Sequence, residues 1–180
     1  LEDVYDQSRR FDKLVQVLQK RLEGENEESE VRRLRLKLAE ISGSMGDALG
    51  AYGSLESAFF ESPSDTALWD QLAEVAEDAS QHKALANAFA TAIEAGDLSE
   101  DDAAELAART ARLHDDVLDT REEAEPFHRR VLAHDSLNDT SFNALKELYT
   151  AAERWDELQS LYQTRIEETV DSGAKLDLLL

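Results

Sequence analysis

The sequence predicts an all-α protein built as a right-handed superhelix, or solenoid, of antiparallel helix pairs. Ala, Leu, Glu and Asp dominate the 180 residues, and only 2 Pro and 7 Gly interrupt them, which favours helix. Apolar residues recur every four positions in several stretches, as they do along one face of a helix. The chain also resembles itself at intervals of about 36 residues, and a fixed period of this length is typical of stacked helical units.

The period is clearest between the two ends of the chain. Residues 5–14, YDQSRRFDKL, align with residues 149–158, YTAAERWDEL, at an offset of 144 residues, or four periods of 36. A third copy lies between them, where Leu85 is offset from Leu158 by 73 residues. Leucine and alanine alternate at one equivalent position, which runs through five copies as Leu14, Ala51, Leu85, Ala124 and Leu158.

Each copy is predicted to form two helices, and an apolar stripe marks the buried face of each helix. In chain order the stripes are Leu14, Leu18 and Leu22; Leu34, Leu38 and Ile41; Ala51, Leu55 and Ala58; Trp69, Leu72 and Ala76; Leu85, Phe89 and Ile93; Ala124, His128 and Val131; Phe142, Leu145 and Tyr149; and Leu158, Tyr162 and Ile166. A single short helix pair cannot bury such a stripe, so stacking on neighbouring pairs is expected to supply the core.

Capping and turn signals separate the stripes. Residues 64–66, SDT, and residues 138–140, NDT, are good N-caps. Gly46 and Gly96 stand where turns are needed. Asp101 and its acidic neighbours fall where a helix should begin and would complement its dipole.

One copy is predicted to be irregular. The connection from His114 to Thr120 is longer than the matching turns elsewhere, and Pro126 falls inside the following helix. Because proline lacks a backbone donor, we expect it to kink or delay that helix. The least regular packing is therefore predicted over residues 114–126.

A single array is the predicted domain organisation. Both ends of the sequence look like boundaries within a longer chain, since it begins at Leu1 and its last residues continue an apolar helical pattern. The predicted repeats span roughly residues 1–26, 30–63, 65–97, 101–136 and 139–171, followed by the start of a further helix at 174–180.

The copy that begins at Trp69 resembles the tetratricopeptide repeat. Its residues Trp69-x2-Leu72-Ala73-x2-Ala76, then Leu85, Phe89 and Ala92, have that family's spacing. The last full copy repeats it with Phe142, Leu145, Tyr149, Leu158 and Tyr162, and Pro63 matches the family's terminal proline. A half-a-tetratricopeptide repeat is the nearest alternative. The resemblance implies a scaffold that assembles complexes and has no chemistry of its own.

Charge and composition narrow the functional classes. The formal net charge is -21, and residues 41–108 hold one Lys against fourteen acids, a net of -13. This middle should repel polyanions and attract a basic partner, although a well-solvated acidic surface has the same composition. Cys is absent, so disulfides and thiolate metal sites are excluded, and a reducing, cytoplasmic setting is expected. The sequence contains no apolar run long enough to span a membrane.

The sequence predicts neither an enzyme nor a cofactor or metal site. It contains no phosphate-binding glycine loop and no nucleophile motif. Glu125 and His128 have the spacing of carboxylate-bridged metal sites, but a partly buried structural histidine is the preferred interpretation of His128.

Two further features carry alternative interpretations. Arg32, Arg33, Arg35 and Lys37 are concentrated enough to suggest RNA. Helix faces paired with nearby Glu are the preferred interpretation, so we expect no nucleic-acid partner. Phe11 and Trp155, at equivalent positions, could anchor a ligand, and packing between helices is preferred.

The function predicted from these observations is a protein-interaction scaffold that binds a peptide or partner domain through its concave face. A structural spacer within a longer array is the main alternative, and an enzyme or a lipid or RNA carrier is a third. The candidate partner-binding residues are polar positions on first helices, inferred from periodicity: Arg35, Asp70, Glu74, Arg109, Asn143 and Glu147.

Overall fold

The computed structural model describes residues 11–169, and within this range the chain consists of helices and connecting turns without a strand. The all-α, helical-repeat prediction is confirmed. Nine α-helices lie in the described range: α1 (Phe11–Gly24), α2 (Glu28–Ser44), α3 (Ala48–Glu61), α4 (Thr66–Asp78), α5 (His82–Ala95), α6 (Glu100–Arg112), α7 (Arg121–His134), α8 (Asp139–Ala151) and α9 (Trp155–Glu168). The helix predicted at 174–180 and the start of the alignment at residues 5–10 fall outside the described residues.

The chain divides into two compact units, Leu1–Ala88 and Phe89–Leu180, with the division inside α5. In the first unit, α1 packs on α2, α2 on α3, and α3 on α4. In the second unit, α6 packs on α7, α7 on α8, and α8 on α9. Helices that are neighbours in sequence are therefore neighbours in space within each unit, as in an array of helix pairs.

Leucines and aromatic side chains build the core of the first unit. Stripes from α1 and α2 form one cluster around the fully buried Leu14, and Phe11 packs against it. Trp69 on α4 is fully buried, and its indole Nε1 donates a hydrogen bond of 2.7 Å to the carbonyl oxygen of Pro63. The buried indole thus has a partner for its only polar group, which makes its burial favourable.

Alanines build the face of α6 in the second unit. The residues buried on this helix are Ala103, Ala104, Leu106, Ala107, Thr110 and Ala111. Small side chains let neighbouring helices approach closely, and the hydroxyl of Thr110 donates to the carbonyl oxygen of Leu106 at 2.8 Å. The buried face of α6 therefore needs no polar partner from another helix.

The predicted caps and turns are confirmed. Asp65 accepts from the amide of Ala67 at 3.1 Å, and Asn138 accepts from the amide of Ser141 at 3.0 Å. Gly46 has φ +78° and Gly96 has φ +77°, a backbone conformation that is strained for residues with a Cβ atom.

The predicted irregularity near residue 114 is a π-helical turn. Leu113–Val117 continues α6 with a wider winding, in which the amide of Leu118 donates to the carbonyl oxygen of Leu113 at 2.9 Å. The expectation that Pro126 delays the next helix is wrong, because α7 begins at Arg121 and contains the proline. A five-residue bond pattern, rather than the proline, produces the longer connection.

The position shared by all five copies is buried in four of them. Leu14, Ala51, Leu85 and Ala124 are each no more than 2% exposed. Leu158 on α9 is only half-buried, and none of the residues of α9 is buried. Its apolar stripe is therefore in contact with solvent.

Candidate functional site

Four of the six predicted binding residues are exposed on first helices. Asp70 and Glu74 lie one turn apart on α4, in the first unit, and Asn143 and Glu147 lie one turn apart on α8, in the second. Residues three or four apart occupy one helix face, so each pair presents a polar patch. These patches consist of groups that water or a partner can reach.

The two predicted arginines are half-buried and ion-paired. Arg35 on α2 lies 3.2 Å from Glu61 on α3, and Arg109 donates from Nε to Glu105, one turn earlier on α6, at 3.0 Å. Each guanidinium is thus already engaged by a carboxylate of its own unit. The structure brings neither arginine to the exposed patches described above.

Glu147 also lines a cleft of about 510 Å³ in the second unit, which we call the α8 cleft. The π-helical turn and α7 contribute polar and charged side chains, and α8 contributes Glu147 and apolar side chains. The lining residues are Asp115, Asp116, Arg121, His128, Ala144, Glu147, Leu148 and Ala151.

Acidic groups outnumber basic ones around the α8 cleft. Asp115, Asp116 and Glu147 face a single arginine, Arg121, whose Nη1 lies 3.9 Å from Oε2 of Glu147. Both members of this pair are more than 60% exposed, at 64% and 70%. Because exposed ion pairs contribute little and are screened by salt, this contact holds Arg121 only weakly.

His128 forms a hydrogen-bonded chain at the wall of the α8 cleft. It is 3% exposed, with Nε2 at 2.8 Å from Oδ2 of Asp115 and Nδ1 at 3.0 Å from Oγ of Ser141. The structural interpretation of this histidine is therefore confirmed, since both ring nitrogens have protein partners. The chain links the π-helical turn, α7 and α8.

Asp115, His128 and Ser141 are the residue types of a hydrolytic triad, but their arrangement supports a structural role rather than catalysis. Ser141 is 3% exposed, and it does not line the cleft, so its hydroxyl lacks the access that a nucleophile needs. Its backbone amide is bound by the N-cap Asn138, which fixes it in the first turn of α8. The arrangement orients three elements rather than activating an oxygen.

Glu125 is the centre of a second polar cluster, which joins α7, α8 and α9. Arg154 grips its carboxylate with two bonds, of 2.6 and 3.0 Å, and Arg129 reaches the same carboxylate at 3.0 Å. The hydroxyl of Tyr149 donates to it at 3.1 Å, and the Arg154 guanidinium lies over the Tyr149 ring, 4.6 Å from its centroid. We call these residues the Glu125 cluster.

The Glu125 cluster shifts the ionisation of its members. The hydrogen bonds from Arg154, then that from Tyr149, lower the pKa of Glu125 against the opposing effect of burial. Burial raises the pKa of Tyr149. Glu125 and His128, both on α7, thus bind different partners. Although they have the spacing of a metal site, they belong to two separate hydrogen-bonded clusters.

The basic concentration on α2 is paired with acids, as its preferred interpretation requires. Arg33 binds Glu30, one turn earlier, at 2.7 Å, and Arg32 binds Asp65 in the α3–α4 connection. The packing interpretation of the two equivalent aromatics holds for Phe11 only. For Trp155 it is wrong, because that ring is 58% exposed at the start of α9.

Sequence reasoning missed Asp116 and Arg121. Asp116 lies within the irregular connection and Arg121 directly after it, and the unusual length of the connection was the available signal. Their approach to Glu147 depends on the π-helical turn, and no sequence periodicity indicates that turn.

Among residues 11–169, no helix combines the length and the apolar character that crossing a membrane requires. The same part of the chain brings together no group of three or more His, Cys, Asp or Glu that could hold a metal ion.

Comparison with known proteins identifies the repeat. Residues 141–174 match the family model described as tetratricopeptide repeat, so the resemblance inferred from the sequence is confirmed. Among curated proteins no relative is found. The chain is also similar to two solved structures, those of MamA and of BtubC from P. vanneervenii. MamA is 14% identical with a TM-score of 0.47, over 93% of each chain. BtubC is 17% identical with a TM-score of 0.44, over 89% of this chain and 74% of its own.

Proposed function

We propose that this array of tetratricopeptide-like helix pairs is a protein-interaction scaffold that binds a peptide or partner domain through its concave face. Repeats of this type generally mediate protein–protein interactions. The observation that carries the proposal is that α4 and α8 each have a buried apolar face and an exposed polar face. Each buries one apolar stripe, while an adjacent polar patch stays exposed.

The proposed binding residues are those of the exposed patches, Asp70 and Glu74 on α4 and Asn143 and Glu147 on α8. Arg35 and Arg109 belong to the proposal as charged residues of the first helices α2 and α6. In a stacked array the first helices line the concave surface, where an extended partner contacts several repeats at once. A partner with a basic segment suits the net charge of -21, and nucleic acid does not.

The proposal assigns the chain no catalytic activity and no cofactor. The hydroxyl-bearing Ser141 is buried, and the side chains of the Glu125 cluster are hydrogen-bonded to one another. We place the scaffold in the cytoplasm, a reducing compartment that suits a chain without cysteine.

A structural spacer is the second candidate function, and α9 is the observation that favours it. The apolar stripe of this helix, Leu158, Tyr162 and Ile166, is only half-buried, whereas the equivalent Leu85, Phe89 and Ile93 of α5 are buried. A further helix stacked on α9 would bury the stripe, as neighbouring helices do in a longer array.

Selection from a displayed peptide library on the whole 180-residue chain tests the scaffold against the spacer. A selected peptide is then titrated against a first-helix variant, Asp70→Asn with Glu74→Gln and Glu147→Gln. We expect its Kd to rise about tenfold or more, since the variant removes three negative charges that complement a basic partner segment.

The matched control neutralises three exposed acids on second helices, Glu94→Gln, Glu122→Gln and Glu168→Gln, with the same change in net charge. Its Kd should stay within about twofold of the parent chain. Equal weakening by both variants would reduce the effect to overall charge. If the library yields no binder, the spacer is the better description.

A further inference from the structure

We infer that the α8 cleft binds a lysine or arginine side chain from a basic segment of the partner. The inference rests on the proposed function and specifies the chemistry that the α8 part of the scaffold recognises. Three features of the cleft support it: the charges at its rim, the direction of the helices that end there, and its apolar surface.

The rim charges are complementary to a cation. Asp116 on the π-helical turn and Glu147 on α8 are both exposed and line the cleft, and Asp115 adds a third carboxylate, whose Oδ2 lies 2.8 Å from Nε2 of His128. Arg121 is the one lysine or arginine among the residues that line the cleft. A cation placed between Asp116 and Glu147 would therefore meet more negative than positive charge.

Two helix C-termini at the cleft also favour a cation. The run of α6 and its π-helical turn ends at Val117, next to Asp116, and α8 ends at Ala151, which lines the cleft. Helix C-termini carry partial negative charge and favour cations within their last turn. This contribution comes from backbone direction, so it is independent of the acidic side chains.

The apolar surface suits the stem of a long basic side chain. Ala144 and Leu148 on α8 are half-buried and line the cleft beside the acids. Lysine and arginine place their methylene stems on such surfaces and their charged ends at the polar rim. A short polar ligand or a free metal ion would make no use of these residues.

Arg121 already supplies a weak cation from within the chain. Its guanidinium lies 3.9 Å from Glu147, and both side chains are largely exposed. An incoming lysine or arginine can take its place beside Glu147, because little energy is lost when an exposed ion pair opens. Arg121 therefore competes with the partner's basic side chain for Glu147 and is not part of the proposed binding site.

The test uses a fluorescein-labelled peptide of alternating lysine and alanine, titrated against the whole chain by fluorescence anisotropy. We expect Asp116→Asn with Glu147→Gln to raise its Kd about tenfold, and Arg121→Gln to lower it about threefold. The control, Glu94→Gln with Glu168→Gln, makes the same charge change in the same unit outside the cleft and should leave Kd nearly unchanged. In NMR spectra, the amides of Ala144, Leu148 and Ala151 should shift on titration.

Three results would overturn the inference: no binding of the lysine peptide, equal weakening by the cleft variant and its control, or equally tight binding of the same peptide with acetylated lysines. Each of them leaves the scaffold standing if a library-selected peptide still depends on Asp70 and Glu74. Loss of that dependence contradicts the scaffold itself, whatever the lysine peptide does.

Discussion

Replacing Trp69 by alanine is expected to lower the free energy of unfolding by about 3–5 kcal/mol. The side chain is fully buried on α4 and fills the core of the first unit, so truncation leaves a cavity. It also leaves the carbonyl oxygen of Pro63 without the indole donor that now lies 2.7 Å away. Urea denaturation followed by far-ultraviolet circular dichroism measures the change.

Trp155 provides the matched control, as the second of the two tryptophans. Its ring is 58% exposed, so Trp155→Ala should change the unfolding free energy by no more than about 0.5 kcal/mol. Equal effects of the two substitutions would mean that the core of the first unit is built differently from the one described.

The second large effect is expected at Glu125. Glu125→Gln keeps the size of the side chain but removes the charge that Arg154 grips and Arg129 approaches. Hydrogen bonds to charged groups contribute more than neutral ones, so we expect a loss of about 1–3 kcal/mol at neutral pH. The loss arises in the second unit, where α7, α8 and α9 meet.

The pH dependence of this loss has a defined sign. The pKa of Glu125 is lowered by folding from its usual 4.5, so the ionised carboxylate stabilises the folded chain above that pH. The stabilisation disappears as the pH falls through the lowered pKa, and the unfolding free energies of the parent and Glu125→Gln chains should converge. Glu122→Gln, an exposed change on the same helix, is the control and should leave the unfolding free energy at neutral pH nearly unchanged. Parallel curves for the parent and Glu125→Gln chains would contradict the assigned role.

Local patterns in the sequence were enough to predict most of the fold. Stripes such as Leu14 and Leu18 mark a buried helix face because burial follows the helical period. Caps such as Asp65 and Asn138 act on their own first turn, so their role is contained in a few adjacent residues. The repeat period then indicates that the helices stack in pairs.

Contacts between distant residues could not be predicted in the same way. Tyr149 and Arg154 reach Glu125 from 24 and 29 residues away. One turn between helices separates Tyr149 from Glu125, and Arg154 lies in a second turn, so the geometry of these turns sets the approach. The exposure of Trp155 was missed for a related reason. Phe11 packs against a leucine cluster of α1 and α2, whereas Trp155 belongs to α9, a helix in which no residue is buried.

The candidate site was only partly accessible to sequence reasoning. Periodicity identified Glu147 as an exposed residue of a first helix, because a helix face is a local property. Asp116 joins it across the α8 cleft only because the π-helical turn extends α6 by five residues. A wider winding of the backbone has no apolar period of its own, so it leaves no pattern to detect.

Amide hydrogen exchange on the chain, with and without a saturating library-selected peptide, tests the central claim most directly. The claim is that the partner contacts the exposed polar patches of the first helices α4 and α8. We predict added protection over the exposed patches of α4 and α8, at Asp70 to Glu74 and at Asn143 to Glu147, with little change on α3 and α7. Protection concentrated on α3 and α7, with none on α4 and α8, would contradict it.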